Sequence, residues 1–353
     1  MADGSASSSL PTAIDLHCHI FPPEYLRLAR TQGERIHARI YRRDNGQEYL
    51  QAPGDFDYPL TDDLWSVPAL VSALGKRNLA GAALSVAPPT LSYWAEAGLA
   101  AEISSANNDS IAEVVRGQPD RFVGLCTVPL QDMSRAIREL ERALKQPEFR
   151  GVMISSHLGE KNLNHPYFLP FFEACQELDA CVFIHPYEVL GSARLQDYYM
   201  WNLIGMVTET CVAIESLIFG GIYERLPRLK TYFAHAGGSF PWLRGRAEHG
   251  FHHLITARFD VDRPPSAYLD RIYVDNMIYI PSALTWLVEQ LGSDHIAVGS
   301  DYPFDVGPAD PTAIVREAPG LAEADRANLL YRTAWHLLGV EVGASHVATG
   351  SEG

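Results

Sequence analysis

Two histidines separated by a single residue, His17 and His19, lie at the end of a short apolar run and could bind one metal ion together. In an extended strand alternate residues point to the same side, so both imidazoles would face one way while Cys18 faces the other. Three further residues also end apolar runs: His185, His235 and Asp301. Imidazole nitrogens combined with a carboxylate are a typical ligand set for zinc and related divalent ions.

Each of these residues has an ordinary structural explanation when it is considered alone. A His-x-His pair often arises by chance, and His185 and Asp301 could belong to loops or turns. Their joint placement at the ends of separate apolar runs is much harder to reach by chance, and it predicts a catalytic metal site. A bound divalent ion lowers the pKa of water toward neutrality, and His235 could move protons to and from that water.

The elements that must position these residues are eight short runs of apolar and β-branched residues, separated by longer helical segments. Such runs are typical of parallel strands that are buried on both faces. The predicted strands are 13–20, 81–86, 122–128, 151–156, 181–186, 229–235, 272–276 and 295–301. Helices are predicted over 133–145, 167–178 and 281–292, the last with Pro281 in its first turn. Eight strand–helix repeats predict a (β/α)8 TIM barrel, in which the carboxyl ends of all strands open on one face.

A doubly wound open sheet is the competing fold, but it usually has a Gly-rich turn after its first strand, and none is present here. The segment 21–64 is too long for an ordinary loop after strand 1. We therefore predict one barrel domain over 13–340, with an insertion at 21–64 that forms a lid over the active site and contains a hairpin turn at Asn45-Gly46. Residues 1–12 and 341–353 are predicted to be flexible tails.

Composition excludes several classes of function. The chain has 353 residues and a formal net charge of −15, which disfavours nucleic acid and anionic membranes as partners. No apolar run approaches the roughly 20 residues of a membrane-spanning helix. The five cysteines form no Cys-x-x-Cys pair and lie mainly in apolar runs, which predicts buried free thiols and a cytoplasmic protein.

Several segments, taken in order, are similar to the amidohydrolase superfamily: DLHCHIFPPEY, FIHPYE, FAHAGGSFPWLRGR and VGSDYPF. More closely, they resemble the branch that contains α-amino-β-carboxymuconate-ε-semialdehyde (ACMS) decarboxylase. The resemblance extends over about residues 13–340. It implies that His17, His19, His185 and Asp301 bind one divalent metal ion, with zinc as the first expectation and manganese or cobalt as alternatives. It also implies that His235 and Asp301 are catalytic, with His235 as the acid or base.

Two further features follow from the same resemblance. Many hydrolytic relatives hold two metals through a carboxylated lysine at the end of strand 4, whereas this chain reads GVMISSH there. That favours the one-metal, decarboxylase-like branch, and His157 after this strand is more simply explained as a loop histidine. Arg246 matches a family arginine that reaches into the neighbouring subunit's site and holds a substrate carboxylate, which implies a homodimer.

One departure concerns the substrate. The ACMS enzyme carries a second carboxylate-binding arginine in the segment after strand 1, and the corresponding stretch here is Tyr49-Leu50-Gln51-Ala52, with Arg42 and Arg43 nearby but out of register. The leading hypothesis is metal-dependent, non-oxidative decarboxylation of an unsaturated or aromatic carboxylic acid, a small molecule. The alternatives are a hydrolase or hydratase of a ring-cleavage product or lactone, and a barrel that binds metal without chemistry.

Overall fold

The protein is described by a computed structural model that covers residues 13–53 and 56–341. The predicted tails therefore fall outside the described residues, apart from Glu341. A sheet of eight parallel strands forms the core of the fold. In chain order the strands of the whole structure are β1 (Ala13–Ile20), β2 (Arg39–Arg42), β3 (Glu48–Ala52), β4 (Phe56–Pro59), β5 (Leu79–Val86), β6 (Phe122–Cys126), β7 (Phe149–Ser155), β8 (His157–Leu158), β9 (Lys161–Asn162), β10 (Cys181–His185), β11 (Lys230–Phe233), β12 (Ile272–Asp275) and β13 (Ile296–Ala297).

The parallel sheet has the order β1-β5-β6-β7-β10-β11-β12-β13, which is the order of these strands in the chain. Two parallel bridges, Asp15 with Val298 and Cys18 with Tyr302, bring the last strand back to the first, so the sheet is nearly closed. The predicted TIM barrel is therefore confirmed. Each of the eight predicted strands corresponds to one barrel strand.

Helices cover the outside of the sheet, as a parallel barrel requires. They are α1 (Pro23–Thr31), α2 (Val67–Lys76), α3 (Ala97–Gly117), α4 (Met133–Leu144), α5 (Leu169–Glu177), α6 (Val207–Phe219), α7 (Ile222–Arg225), α8 (Phe240–His253), α9 (Pro281–Leu291), α10 (Ala313–Glu317), α11 (Glu323–Ala327) and α12 (Thr333–Leu338). The three predicted helices correspond to α4, α5 and α9, and Pro281 occupies the first turn of α9 as expected. A π-helical turn, Trp201–Met206, precedes α6 without a break.

The two barrel strands that are shortened most relative to the prediction are β11 and β13, and both end where the chain turns into the site. β11 stops at Phe233 because His235 and Ala236 adopt left-handed backbone conformations, with φ values of 59° and 54°. β13 has only two residues, and Asp301 beyond it also has a positive φ, of 52°. Left-handed backbone at non-glycine residues costs free energy and is concentrated at functional sites.

The segment between β1 and β5 contains α1 and a small antiparallel sheet of β2, β3 and β4. The predicted turn is present, since Gly46 has a φ of 82° and Asn45 Oδ1 accepts a hydrogen bond from the Gln47 backbone at 3.0 Å. Leu50 on β3 is fully buried in a second apolar cluster that includes residues of α1 and α3. The segment is thus packed against the barrel through this second apolar cluster.

The five cysteines are all buried and free, as predicted. Within the described ranges, Trp201–Phe219 is the one helical stretch that is long and apolar enough to cross a membrane by composition. Half of this stretch is buried in the protein, and Ile214, Leu217 and Ile218 belong to the main core. It is accordingly a core helix of the barrel.

Candidate metal centre and active site

Four of the predicted site residues meet at the carboxyl end of the barrel. His17 and His19 come from β1, His185 ends β10, and Asp301 follows β13. One ligand atom from each residue lies within 4.8 Å of the others, and all four residues are buried. His17 Nε2 lies 3.1 Å from His19 Nε2, and each of these two nitrogens lies 3.3 Å from Asp301 Oδ1. Cys18 packs into the apolar core, as strand alternation predicts.

The hydrogen bonds of the three imidazoles turn the same nitrogen, Nε2, toward the centre on each ring. The Nδ1 atoms bond outward: His17 to Asp275 Oδ2 at 2.8 Å, His19 to the Val86 carbonyl at 3.1 Å, and His185 to the Pro186 carbonyl at 2.6 Å. Each Nδ1 therefore carries a proton, and each Nε2 presents a lone pair to the centre when its ring is neutral. His185 Nε2 and Asp301 Oδ1 are buried without a hydrogen-bond partner.

Lone pairs that converge at these distances repel one another unless a cation lies between them. Three neutral imidazoles and one carboxylate are a ligand set for zinc, manganese or cobalt, with coordination positions left for water or substrate. The orphaned atoms of His185 and Asp301 are the groups that such an ion would satisfy. The residues present therefore fit a divalent metal ion.

Electrostatics agree with this assignment. Burial lowers the pKa of both His19 and His185, so both rings are neutral, as ligands must be. Burial raises the pKa of Asp301, but the nearby histidines outweigh this effect and hold that pKa well below its usual range. Burial also lowers the pKa of His17, yet the Asp301 and Asp275 carboxylates raise it to about 10. A cation that enters the site thus displaces a proton from His17.

Asp275, the last residue of β12, was not singled out from the sequence although it organises the centre. Its carboxylate is fully buried and accepts four hydrogen bonds. Oδ2 accepts from His17 Nδ1 at 2.8 Å and the His235 backbone at 2.7 Å, and Oδ1 accepts from the Ala236 backbone at 2.6 Å and the Met277 backbone at 2.9 Å. Such a carboxylate fixes both the orientation and the tautomer of a metal-binding histidine.

His235 lies beside the ligand cluster without belonging to it. Its Nε2 is 3.8 Å from Asp301 Oδ2, and its ring centroid is 5.0 Å from that of His185. Its Nδ1 is buried and has no hydrogen-bond partner. The left-handed turn of His235 and Ala236 is held by Asp275 and by Gly238, where a Cβ atom would collide with the Val207 carbonyl. The imidazole is thus held next to the metal position, and its Nδ1 has no hydrogen-bond partner that would compete for a proton.

A cavity of about 1120 Å³ opens above the centre, and His185, His235 and Asp301 form part of its floor. Aromatic side chains line its walls, among them Phe56, Tyr58, Tyr187, Trp201 and Phe304. The Phe304 ring lies 5.9 Å from the His19 ring and 6.3 Å from the Tyr58 ring. A volume of this size with apolar walls and a polar floor suits a small organic molecule.

The other predicted residues lie in different places. Arg246 is exposed on α8 and does not line the cavity of its own chain. His157 lines the cavity, but its two ring nitrogens lie 2.8 Å and 3.2 Å from backbone carbonyls of Gly159 and Glu188. Neither Arg42 nor Arg43 reaches the cavity, and Arg43 is paired with Asp57 at 2.8 Å.

The chain is similar over nearly its whole length to proteins of a known family. The Amidohydrolase family matches residues 14–340. A 2-amino-3-carboxymuconate-6-semialdehyde decarboxylase from Dictyostelium discoideum is 36% identical over 333 residues, which cover 93% of this chain and 92% of the relative.

Two solved structures share the fold. The IDCase of Metarhizium anisopliae, solved in apo form, superimposes with a TM-score of 0.83 at 22% identity, covering 94% of this chain and 98% of that one. A dihydroxybenzoic acid decarboxylase from Polaromonas, solved with manganese and the inhibitor 2-nitroresorcinol, gives a TM-score of 0.75 at 23% identity, covering 94% and 97%.

Proposed function

The chain belongs to the amidohydrolase family, and we propose that it is a metal-dependent, non-oxidative decarboxylase of an unsaturated or aromatic carboxylic acid. The observation that carries the proposal is the convergence of three imidazole Nε2 atoms and Asp301 at the floor of an aromatic cavity, with His235 beside them. The relationship to the Dictyostelium decarboxylase, which extends over nearly the whole of both chains, supports decarboxylation over the hydrolase or hydratase alternative.

The end of β7 is a second support. Ser155 and Ser156 occupy the position at which two-metal hydrolases of the superfamily place a bridging lysine, and no lysine lines the cavity in the described part of the chain. A single ion fits this arrangement. We propose zinc, with manganese as the alternative that the Polaromonas structure supports.

Each group then has a distinct role in the reaction. A divalent ion held by His17, His19, His185 and Asp301 supplies a positive charge that stabilises the electrons left behind when CO₂ departs. The aromatic walls orient the substrate and exclude water. The C–C bond to the carboxylate breaks, CO₂ leaves, and a proton delivered by His235 replaces it on the same carbon. No electron is gained or lost overall, so no redox cofactor is needed.

We propose that Arg246 acts on the active site of a second subunit in a homodimer. Its side chain is exposed on α8, so it can extend away from its own barrel toward a neighbouring subunit. Large apolar side chains on α8 and just after it in the chain are also exposed, including Trp242 at 70%, Ile255 at 72% and Phe259 at 71%. An apolar patch of this kind is typical of an oligomer interface. A guanidinium group can hold a carboxylate through two hydrogen bonds.

Two further proposals concern the surroundings of the site. The segment 21–64 acts as a lid, since Phe56, Asp57 and Tyr58 line the cavity and Tyr187 donates a hydrogen bond to the Pro53 carbonyl. The protein works in the cytoplasm, where its five free thiols remain reduced.

The experiment that tests the reaction is a screen of aromatic and muconate-type acids for CO₂ release, on protein of measured metal content. At least one acid should release CO₂ with solvent hydrogen in its place. Water incorporation without CO₂ would support the hydrolase or hydratase alternative instead. His235→Ala should retain the metal and lose activity by about 10²–10⁴-fold. Full activity of this variant with metal bound would refute the role of His235.

The shared site is tested by mixing two inactive variants, Arg246→Ala and His235→Ala, under conditions that exchange subunits. In a mixed dimer one site has an intact His235 and receives Arg246 from the other subunit. Random mixing at equal amounts should therefore restore about a quarter of wild-type activity. If Arg246 acted within its own subunit, every site would lack one residue and no activity would return.

A further inference from the structure

The seam that closes the barrel passes directly through the metal centre. Neighbouring strands of the parallel sheet are joined by ladders, whereas β13 meets β1 through two isolated bridges. His17 and His19 lie on the β1 side of this seam, and Asp301 lies on the other side, after β13. The separation of these three ligands therefore depends on how firmly the two sides of the seam are held together.

Backbone hydrogen bonds of the ligands themselves cross the seam. The His17 carbonyl accepts from the backbone N–H groups of Asp301 at 2.9 Å and of Ser300 at 3.3 Å. The His19 backbone N–H donates to the Tyr302 carbonyl at 2.7 Å. A shift of one side of the seam against the other would therefore move the ligands apart.

The side chain of Asp15 adds a clasp to this seam. Asp15 lies on β1, two residues before His17, and its carboxylate is fully buried. Its Oδ1 accepts hydrogen bonds from the backbone N–H groups of His17 and Ser300, each at 3.1 Å. Its Oδ2 accepts the hydroxyl hydrogen of Ser300, and Ser300 Oγ in turn accepts from the Tyr302 backbone at 3.1 Å. One carboxylate therefore joins both sides of the seam beside a ligand on each side.

Burial strengthens this clasp. Asp15 and Ser300 are both 0% exposed, so water does not replace a hydrogen bond that is lost between them. A buried carboxylate costs free energy unless its oxygens accept hydrogen bonds, and three donors satisfy this one. Hydrogen bonds to a charged acceptor are also stronger than those between neutral groups. The clasp thus holds the seam at the point where the ladder is interrupted.

We propose that Asp15 and Ser300 are positioning residues that set the separation between the two histidine ligands on β1 and Asp301. They act through the backbone, because Asp15 holds the N–H group of His17 and Ser300 directly precedes Asp301. Without the clasp the ligands converge less closely, and the site binds its ion more weakly. The inference rests on the proposed metal site and not on the reaction proposed there.

The test compares Ser300→Ala with Ser293→Ala in the full-length protein. Ser293 is the matched control, because it precedes β13 at the opposite end of the barrel and forms the same kind of pair. Its hydroxyl donates to Asp325 Oδ1 at 2.7 Å and accepts from Asn328 Nδ2 at 3.0 Å. Each substitution removes one hydroxyl–carboxylate bond, so both should lower the melting temperature of metal-free protein. Zinc affinity is measured by competition with a chelator, and the absorption spectrum of cobalt-loaded protein reports the coordination geometry.

Ser300→Ala should weaken zinc binding by about 10–100-fold and alter the cobalt spectrum, whereas Ser293→Ala should leave both unchanged. Asp15→Asn is the conservative variant, since it keeps one oxygen for the two backbone N–H groups. It should weaken zinc binding in the same direction but by less, and it decides the question if Ser300→Ala does not fold.

Wild-type zinc affinity and cobalt spectrum in the Ser300 or Asp15 variant that folds would overturn the inference. Equal weakening of zinc binding in Ser293→Ala would also overturn it, because the effect would then be one of general stability. If wild type bound neither zinc nor cobalt, the metal site and this inference would fail together. Zinc binding without CO₂ release from any acid would refute only the proposed decarboxylation and leave the role of Asp15 and Ser300 standing.

Discussion

Substitution of Asp275 by asparagine is the most informative perturbation of the metal centre. The side chain keeps its size, but one of its two oxygens becomes an NH₂ group. Each oxygen of Asp275 accepts two hydrogen bonds, so either orientation of the amide turns the NH₂ group toward two N–H donors. One orientation faces His17 and the His235 backbone, and the other faces the Ala236 and Met277 backbone.

The magnitude follows from the number of bonds lost. Each buried donor left without an acceptor costs about 1–3 kcal/mol, so two cost about 2–6 kcal/mol. Part of this cost falls on folding, because the turn at His235 loses its anchor. Part falls on metal binding, because His17 no longer has a carboxylate that fixes its proton on Nδ1. Loss of such a partner typically weakens metal affinity by about 10–100-fold.

Two measurements separate these parts. Competition with a chromophoric chelator gives the metal dissociation constant, and calorimetric melting of metal-free protein gives the change in folding. We expect weaker metal binding, a lower melting temperature and lower activity even at saturating metal. The control is Asp294→Asn, which changes an exposed acid in the turn before β13 and should leave all three unchanged. An Asp275→Asn protein with wild-type metal affinity and melting temperature would refute the role assigned to this carboxylate.

Three further predictions concern other parts of the molecule. Removal of the metal by a chelator should abolish activity and lower the melting temperature, and addition of zinc or manganese should restore both. The melting temperature falls because a ligand at about 1,000 times its Kd stabilises the folded state by about 4 kcal/mol. Burial raises the pKa of Glu215 to about 7, and its Oε2 has no partner. Ionisation of this buried carboxyl group destabilises the folded state as the pH rises above its ordinary pKa of 4.5. Glu215→Gln should therefore be more stable than wild type by about 1–3 kcal/mol near pH 8 and equal to it near pH 4, as measured by urea unfolding. Gly238→Ala should lose about 2 kcal/mol or more in the same assay, together with activity, because Gly238 has a φ of 61° and a Cβ there meets the Val207 carbonyl; an unchanged variant would contradict the described turn.

Much of the fold could be predicted because the barrel strands are apolar along their whole length. The same pattern placed His17, His19, His185, His235 and Asp301 at strand ends, and a parallel barrel brings such ends together. Asp275 lies near the end of the predicted strand 272–276 and ends the observed strand β12. An Asp-Asn pair at a strand end is also typical of a turn, so the sequence alone does not distinguish the two possibilities.

Other residues that line the cavity could not be predicted in the same way. Tyr58 and Asp305 are separated by 247 residues, and their hydrogen bond depends on how the small antiparallel sheet docks against the loop after β13. Neither residue has a periodic signal, because one lies on a short exposed strand and the other in an irregular loop. Glu209 is nearly fully buried at the cavity wall, and it lies in α6 just after a π-helical turn, which local sequence patterns do not indicate. Such positions depend on tertiary packing rather than on local sequence.

The small sheet of β2, β3 and β4 has a consequence for how this protein can change. The metal ligands, Asp275 and His235 are anchored in the barrel, whereas Tyr58 belongs to a segment with its own apolar cluster. Part of the cavity wall therefore belongs to a different sheet from the strands that carry the metal centre. For the proposed reaction, we expect mutations in residues 39–53 and 56–59 to alter which acid is accepted while the metal centre stays intact, so this segment is a natural target for directed evolution of new substrates.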